Sequence, residues 1–312
     1  SRPRRGPPVT AVRTATDHVM GTVVSLTAPD TTDPAPFQAA AAAVFAHLHH
    51  DDEVFSPFKP DSPISRIRDG RLPLTALADH PDGPRIREVL DLCEQLKQDS
   101  GGAFDAWAVG DPPHFDPCGA VKGWATEAAS ALAVAHGLPR HVLNAGGDVR
   151  LHSGHDPAPW RVGITDPHHP GTVLTVLHLR DGAVATSGTA ERGAHIFDPR
   201  TARPTTGLAQ VTVTGPDLTL ADGYATAALA MTNDPHGPAT AHAWLDDLAH
   251  RTDYQALTVD PHGAVRHTPG LTGLLTAPAA HVRERSAPCG SGGTALLLAL
   301  TLPTDPGRSR RP

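Results

Sequence analysis

The chain has 312 residues, 39% of them hydrophobic and only 4% aromatic, and a net charge of -7. That length holds one large domain or two modest ones with a real core, while the acidic balance and the scarcity of stacking rings argue against a nucleic-acid partner. The three cysteines, Cys93, Cys118 and Cys289, stand apart from one another, which argues against a disulfide framework or a cysteine-based zinc site; no run of about 18 apolar residues is present to cross a bilayer.

Residues 1–16 are basic and proline-rich and read as a flexible arm. Residues 18–26 read as a strand with Gly21 inside it, where a glycine marks either a bulge or the close approach of a ligand. Residues 37–54 form an alanine-rich helix with Val44, Phe45 and Leu48 toward the core. Near its end His47, His49 and His50 precede Asp51, Asp52 and Glu53, a solvated helix end or a metal cluster, although the spacing matches no ligand motif. Ser62 caps a short turn at residues 63–67. Residues 84–98 are amphipathic, with Ile86, Val89, Leu90, Cys93 and Leu96 on one face, and stop at Gly101-Gly102.

The stretch from Phe115 to Gly123 reads as a tight turn feeding a helix that starts at Gly123 and ends at Gly137. Gly119 and Gly123 allow close approach of backbone, and the start of a helix offers free N–H groups and a positive dipole end, which suit an anion such as phosphate. Lys122 sits there in a chain whose only other lysines are Lys59 and Lys97; it is either a phosphate ligand or an ordinary surface lysine. Beyond it, strands are expected at 141–144 and 160–164, and a hairpin from 173–179 and 183–186. Residues 194–201 fall in a loop, 210–214 in a strand, 218–231 and 239–250 in helices, and 255–259 with 264–267 in a late hairpin. Helices and strands mix without strict βαβ alternation, which predicts an α+β fold with largely antiparallel sheet.

Among chemistry-bearing groups, Asp222 and Thr226 lie one helical turn apart and can present a carboxylate and a hydroxyl to one cation. Oxygen-only ligands point to Mg²⁺ rather than zinc; a solvated pair is the competing reading. His195, between Gly193-Ala194 and a proline-bounded turn, is placed as a general base near neutral pH or as an unremarkable loop histidine.

Taken in order, nine blocks resemble the FAD:protein FMN transferases, the ApbE-type flavin transferases. They are Met20-Gly21-Thr22, 55–62, 102–105, 115–123, 144–148, 160–167, 185–188, 195–201 and 221–226. The resemblance implies a bilobal α+β, T-fold-like architecture with mixed or antiparallel sheets flanked by helices, FAD in the cleft between lobes, and Mg²⁺ at its pyrophosphate. It implies metal ligands at Asp222, Thr226 and the Gly119 carbonyl, and flavin or adenosine contacts at Met20, Phe58, Ala103, Phe104, Asp105, Asp116, Lys122 and Phe197. His195 would take the proton of an acceptor threonine or serine, with Lys122 and Asp222 completing the catalytic set, and FMN would pass from FAD to that hydroxyl with release of AMP. Phe58 stands where the family usually carries an aromatic hydroxyl, and Cys118, Val121 and Ala202 also depart from its pattern.

The implied partners are FAD and an acceptor flavoprotein with a Ser/Thr-Gly-Ala-Thr-like motif. The same site with water as nucleophile would make an FAD pyrophosphatase; a non-catalytic flavin binder would not need Asp222, Thr226 and His195. The expected organisation is an arm at 1–17, a transferase domain at 18–280 and a flexible appendage at 281–312. In that appendage Ser291-Gly292-Gly293-Thr294 is either a linker or an acceptor modified in cis at Thr294. As it stands the chain reads as cytoplasmic, or as a cell-envelope protein if a leader has been removed.

Overall fold

A computed structural model describes residues 11–30, 33–188, 197–201, 203–233 and 237–275. Two strands, β1 (Val12–Val19) and β2 (Thr22–Pro29), open the fold as an antiparallel hairpin paired from Val12↔Pro29 to Val19↔Thr22. Two expectations are corrected here. The strand begins at Val12, inside the supposed arm, because a full eight-residue register with β2 fixes it. The single strand expected at 18–26 is instead broken by a turn, with φ of 55° at Met20 and 70° at Gly21. Two successive positive φ values are what a two-residue hairpin turn of the primed type demands.

Four helices follow: α1 (Ala35–Phe55), α2 (Pro63–Arg68), α3 (Gly83–Asp99) and α4 (Cys118–Ala135). As expected, Ser62 caps α2, its hydroxyl accepting the Ser65 N–H at 3.1 Å. On α3 the buried stripe runs through Ile86, Val89, Leu92, Cys93 and Leu96, with Leu90 only partly buried. The polar end of α1 is no metal cluster. His47 and Arg85 pair with buried Asp51, His49 with Asp17, His50 with Asp82, and Lys59 with Asp52 and Glu53. Each group is committed to a neighbour, and no set of three His, Cys, Asp or Glu side chains among the described residues could hold a metal.

The remaining elements are β3 (His141–Ala145), β4 (Asp148–His152), β5 (Trp160–Thr165), β6 (Val173–Leu179), β7 (Gly182–Gly188), β8 (Phe197–Asp198), β9 (Arg203–Pro204), β10 (Gln210–Gly215), α5 (Leu218–Ala230), α6 (Pro238–Arg251), β11 (Gln255–Val259) and β12 (Val265–His267). Eight strands form one antiparallel sheet in the order β1-β2-β3-β4-β7-β10-β11-β12. The α+β class with antiparallel sheet flanked by helices is therefore borne out, as is the β11–β12 hairpin.

The hairpin expected from β6 and β7 does not form: β6 pairs with β5 in a separate two-stranded sheet, and β7 runs between β4 and β10. Burial explains the parting. Along β7 the residues Gly182, Ala183, Val184, Ala185 and Ser187 are buried, as a central strand covered on both faces requires, whereas most of β6 is only half-buried. The sheet divides the apolar interior in two, with strand residues alternating between the halves. Ala183, Ala185, Val211 and Val213 face the helices, and Val184, Leu257 and Val259 face the β5–β6 ribbon. No helix among the described residues is long and apolar enough to cross a membrane.

Buried His141 ties α4 to the sheet. Its Nε2 lies 2.8 Å from Ser130 Oγ, its Nδ1 is 2.8 Å from the Leu138 carbonyl, and its ring stacks on His152. Burial pulls its pKa down from 6.5 to about 4. Between those values the unfolded chain takes up a proton that the folded chain refuses, so stability falls as pH drops from 6.5 toward 4, by about 3 kcal/mol across the whole window. The melting temperature should decline over that range, and the slope should be shallower in His141→Gln; equal slopes would remove His141 from the account.

Candidate functional site

Where the helices meet the strand ends, a cavity of about 520 Å³ opens, within the range of small-molecule sites. One wall is the β1–β2 turn, where Met20 holds a left-handed backbone that a non-glycine side chain adopts at a cost. The next is the loop after α1. Ser62 Oγ donates to the Ser56 carbonyl at 2.7 Å, which pins this loop and leaves Phe58, 87% exposed, at the cavity mouth. A third wall is 103–106. There the Phe104 N–H donates to Ser100 Oγ at 2.9 Å, and Asp105 accepts the Trp107 N–H and pairs with Lys97 at 2.8 Å.

The floor is the start of α4 against the middle of α5. The expected helix start at Gly123 is corrected: α4 begins five residues earlier, at Cys118, where Asp116 Oδ1 accepts the Cys118 N–H at 2.9 Å in an Asx turn and the Pro117 carbonyl accepts the Ala120 and Val121 N–H groups. Gly119 and Lys122 therefore sit within the first turns of the helix. Gly123 serves packing instead. A β-carbon there would come within 2.6 Å of the Leu218 carbonyl oxygen and 2.7 Å of Asp222 Cβ, so only glycine lets α4 and α5 cross this closely. Its N–H donates to Asp222 Oδ2 at 2.9 Å.

Asp222 is buried, its Oδ1 4.0 Å from Lys122 Nζ, and Lys122 Nζ makes its closer contact with Asp148 Oδ2. Burial pushes the Asp222 carboxyl up to about 7; Lys122 opposes that rise and Asp148 adds to it. Thr226 Oγ1 lies 3.2 Å from Ser187 Oγ, and Gly119 backs directly onto Thr226. Asp222, Thr226 and the Gly119 backbone thus converge on one corner of the cavity. Once Asp222 has lost its proton, above about pH 7, two carboxylates and one ammonium leave that corner one negative charge in excess. A hard, oxygen-seeking divalent cation that keeps waters and binds substrate phosphates fits such a donor set; a sulfur- or imidazole-seeking metal does not.

Eleven of the twelve residues singled out from the sequence line this one cavity: Met20, Phe58, Ala103, Phe104, Asp105, Asp116, Gly119, Lys122, Phe197, Asp222 and Thr226. The twelfth, His195, lies outside the described residues, as do Thr294 and the rest of the expected appendage. Sequence reasoning missed the roles of Asp148 and Ser187. Both fell inside recognised blocks, yet only the sheet order, which places β4 beside β7, shows that they meet α4 and α5.

The ApbE family model matches residues 20–111 and 108–250. A FAD:protein FMN transferase of Rhodobacter capsulatus is 43% identical over 116 residues, which is 34% of this chain and 22% of that protein; the chain thus matches about a fifth of that curated relative's length. Among solved structures, the apo form of the flavinyl transferase ApbE of Pseudomonas stutzeri aligns with a TM-score of 0.68 at 21% identity, covering 88% of this chain and 100% of that one. The flavin transferase ApbE of Vibrio cholerae aligns with a TM-score of 0.67 at 18% identity, covering 85% and 100%.

Proposed function

The chain belongs to the ApbE family, and on that premise we propose that it transfers FMN from FAD to a threonine or serine hydroxyl of an acceptor protein, releasing AMP, with Mg²⁺ at the pyrophosphate. The observation that carries this reading is the convergence of a buried carboxylate, a hydroxyl, a helix-start backbone and a lysine in one cavity whose other walls mix aromatic and apolar groups (Met20, Phe55, Phe58, Phe104, Phe197) with further aspartates and hydroxyls. Such a cavity suits a ligand with a flat ring at one end and a charged diphosphate at the other.

In the proposed reaction the acceptor oxygen attacks the phosphorus on the FMN side of the diphosphate. The bond from that phosphorus to the bridging oxygen breaks, and the bridging oxygen leaves with AMP. The hydroxyl proton goes to His195. Asp222, Thr226 and the Gly119 carbonyl would hold the Mg²⁺, which supplies charge neutralisation to the diphosphate. Lys122 lends a further positive charge to the same phosphates, and Phe58 and Met20 flank the ring end. Because AMP is already a good leaving group, the main demand on the protein is positioning together with a base worth about 10²–10⁴-fold.

The test is incubation of the chain with FAD, Mg²⁺ and a Ser-Gly-Ala-Thr peptide, following AMP and the mass of the peptide. A peptide that gains FMN, with loss of that gain in His195→Ala, is the expected result. AMP release without a modified peptide would replace transfer by hydrolysis of FAD to FMN and AMP. Tight FAD binding with no turnover would reduce the protein to a flavin carrier.

A further inference from the structure

We infer that Asp148 is a positioning residue that holds the Lys122 ammonium away from Asp222, keeping the Asp222 carboxylate available to a divalent cation. The inference rests on the metal reading above and assigns a role to a residue outside the ligand set.

Asp148 opens β4 directly after the Gly146-Gly147 turn and is fully buried. One of its oxygens is hydrogen-bonded, and the other, buried, makes an ion pair but no hydrogen bond. Oδ1 accepts the Thr186 N–H of β7 at 2.9 Å, and Oδ2 contacts Lys122 Nζ on α4. The same ammonium stands 4.0 Å from Asp222 Oδ1 on α5. Lys122 thus has two carboxylates within reach and lies against the one that is not a candidate metal ligand.

The charge arithmetic gives this choice a consequence. A lysine carries a compact point charge on a flexible stem, so its ammonium can turn between neighbouring counter-charges. Were Asp148 uncharged, the nearest would be Asp222. An ammonium seated there would neutralise that carboxylate and compete with a cation for the same oxygens. A charged Asp148 removes that competitor and leaves the excess negative charge where the cation would bind. Through Thr186 it also steadies the β7 segment whose Ser187 hydroxyl meets Thr226. Asparagine at 148 can still accept the Thr186 N–H while losing the charge, so the structural and electrostatic roles separate in one substitution.

The experiment reads Mn²⁺ binding to the flavin-free full chain by the loss of the free-ion electron paramagnetic resonance signal, with Mg²⁺ as competitor and melting temperature followed in parallel. Asp148→Asn should bind Mn²⁺ about 10-fold or more weakly, the scale on which groups supporting metal ligands act. Adding Lys122→Met to it should bring affinity back to that of Lys122→Met alone, because no ammonium is left to compete. Asp148→Glu, which keeps the charge, should retain most of the affinity. Unchanged binding in Asp148→Asn, an equal loss with and without Lys122, or Asp148→Glu as weak as Asp148→Asn would each overturn the inference. A parent chain that binds no Mn²⁺ would instead remove the metal site itself, and this role for Asp148 with it.

Discussion

Asp222→Asn should melt at a higher temperature than the parent chain at pH 8 while losing flavin transfer about a hundredfold or more, at least the upper end of what outer groups of metal sites cost. The two effects have one origin. Burial raises the Asp222 pKa to about 7 against an ordinary 3.8. With the folded value above the unfolded one, the folded chain gives up this proton less readily. Stability therefore falls as pH rises from about 4 through 7, and the full penalty is present at pH 8. Asparagine removes the ionisation and can still accept the Gly123 N–H that now goes to Oδ2.

The gain should be several degrees or more, since a rise of about three units costs about 4 kcal/mol once the group ionises and about 1 kcal/mol moves a large domain by about 2–4 °C, and it should shrink toward pH 5, where the parent carboxyl is protonated. Mg²⁺ with FAD should raise the parent's melting temperature and leave the variant's unchanged. A variant that is less stable at pH 8 and still responds to Mg²⁺ would show that Asp222 serves the fold and not the ion. A buried carboxylate that costs stability where it stands is the mark of a residue kept for function.

The site was more legible than the topology around it, for a physical reason. Lys122 beside two glycines, Asp222 one turn from Thr226, and the blocks around Met20, Phe58 and Asp105 are local patterns, and local patterns survive in one dimension. Helix α3 was legible likewise, because its apolar stripe and glycine stop both lie within a single element. What failed were decisions that depend on distant partners. Nothing local in residues 173–188 says that β6 will turn away to β5 while β7 enters the sheet between β4 and β10; burial on both faces decides that, and it comes from α5 and from the second core. The turn at Met20-Gly21 was hidden because methionine is a poor sign of positive φ. Asp148 was visible as a letter in a glycine-rich block, but its role needs Lys122 and Thr186, which lie 26 and 38 positions away.

Gly123→Ala should lose Mg²⁺-dependent FAD binding altogether and destabilise the fold by about 1–3 kcal/mol, the usual cost of forcing one extra carbon into a packed interface. In an exposed helix the same change would stabilise, since alanine is the better helix former by about 1 kcal/mol; here sterics reverse the sign. The added β-carbon would sit 2.6 Å from the Leu218 carbonyl oxygen and 2.7 Å from Asp222 Cβ. The first contact is backbone and the second is the root of a buried side chain, so neither can swing aside. Relief requires α4 and α5 to separate, and separation carries Asp222 and Thr226 away from Gly119 and Lys122. Circular dichroism melts with flavin-fluorescence titrations measure both effects on the same sample. Gly119→Ala is the companion: its β-carbon would meet Phe104 at 3.1 Å and Thr226 Cγ2 at 3.4 Å, side-chain atoms that can yield by a few tenths of an ångström. It should fold nearly as well as the parent and keep weakened binding. If both alanines behave alike, the close crossing of α4 and α5 is not what holds the cation corner together.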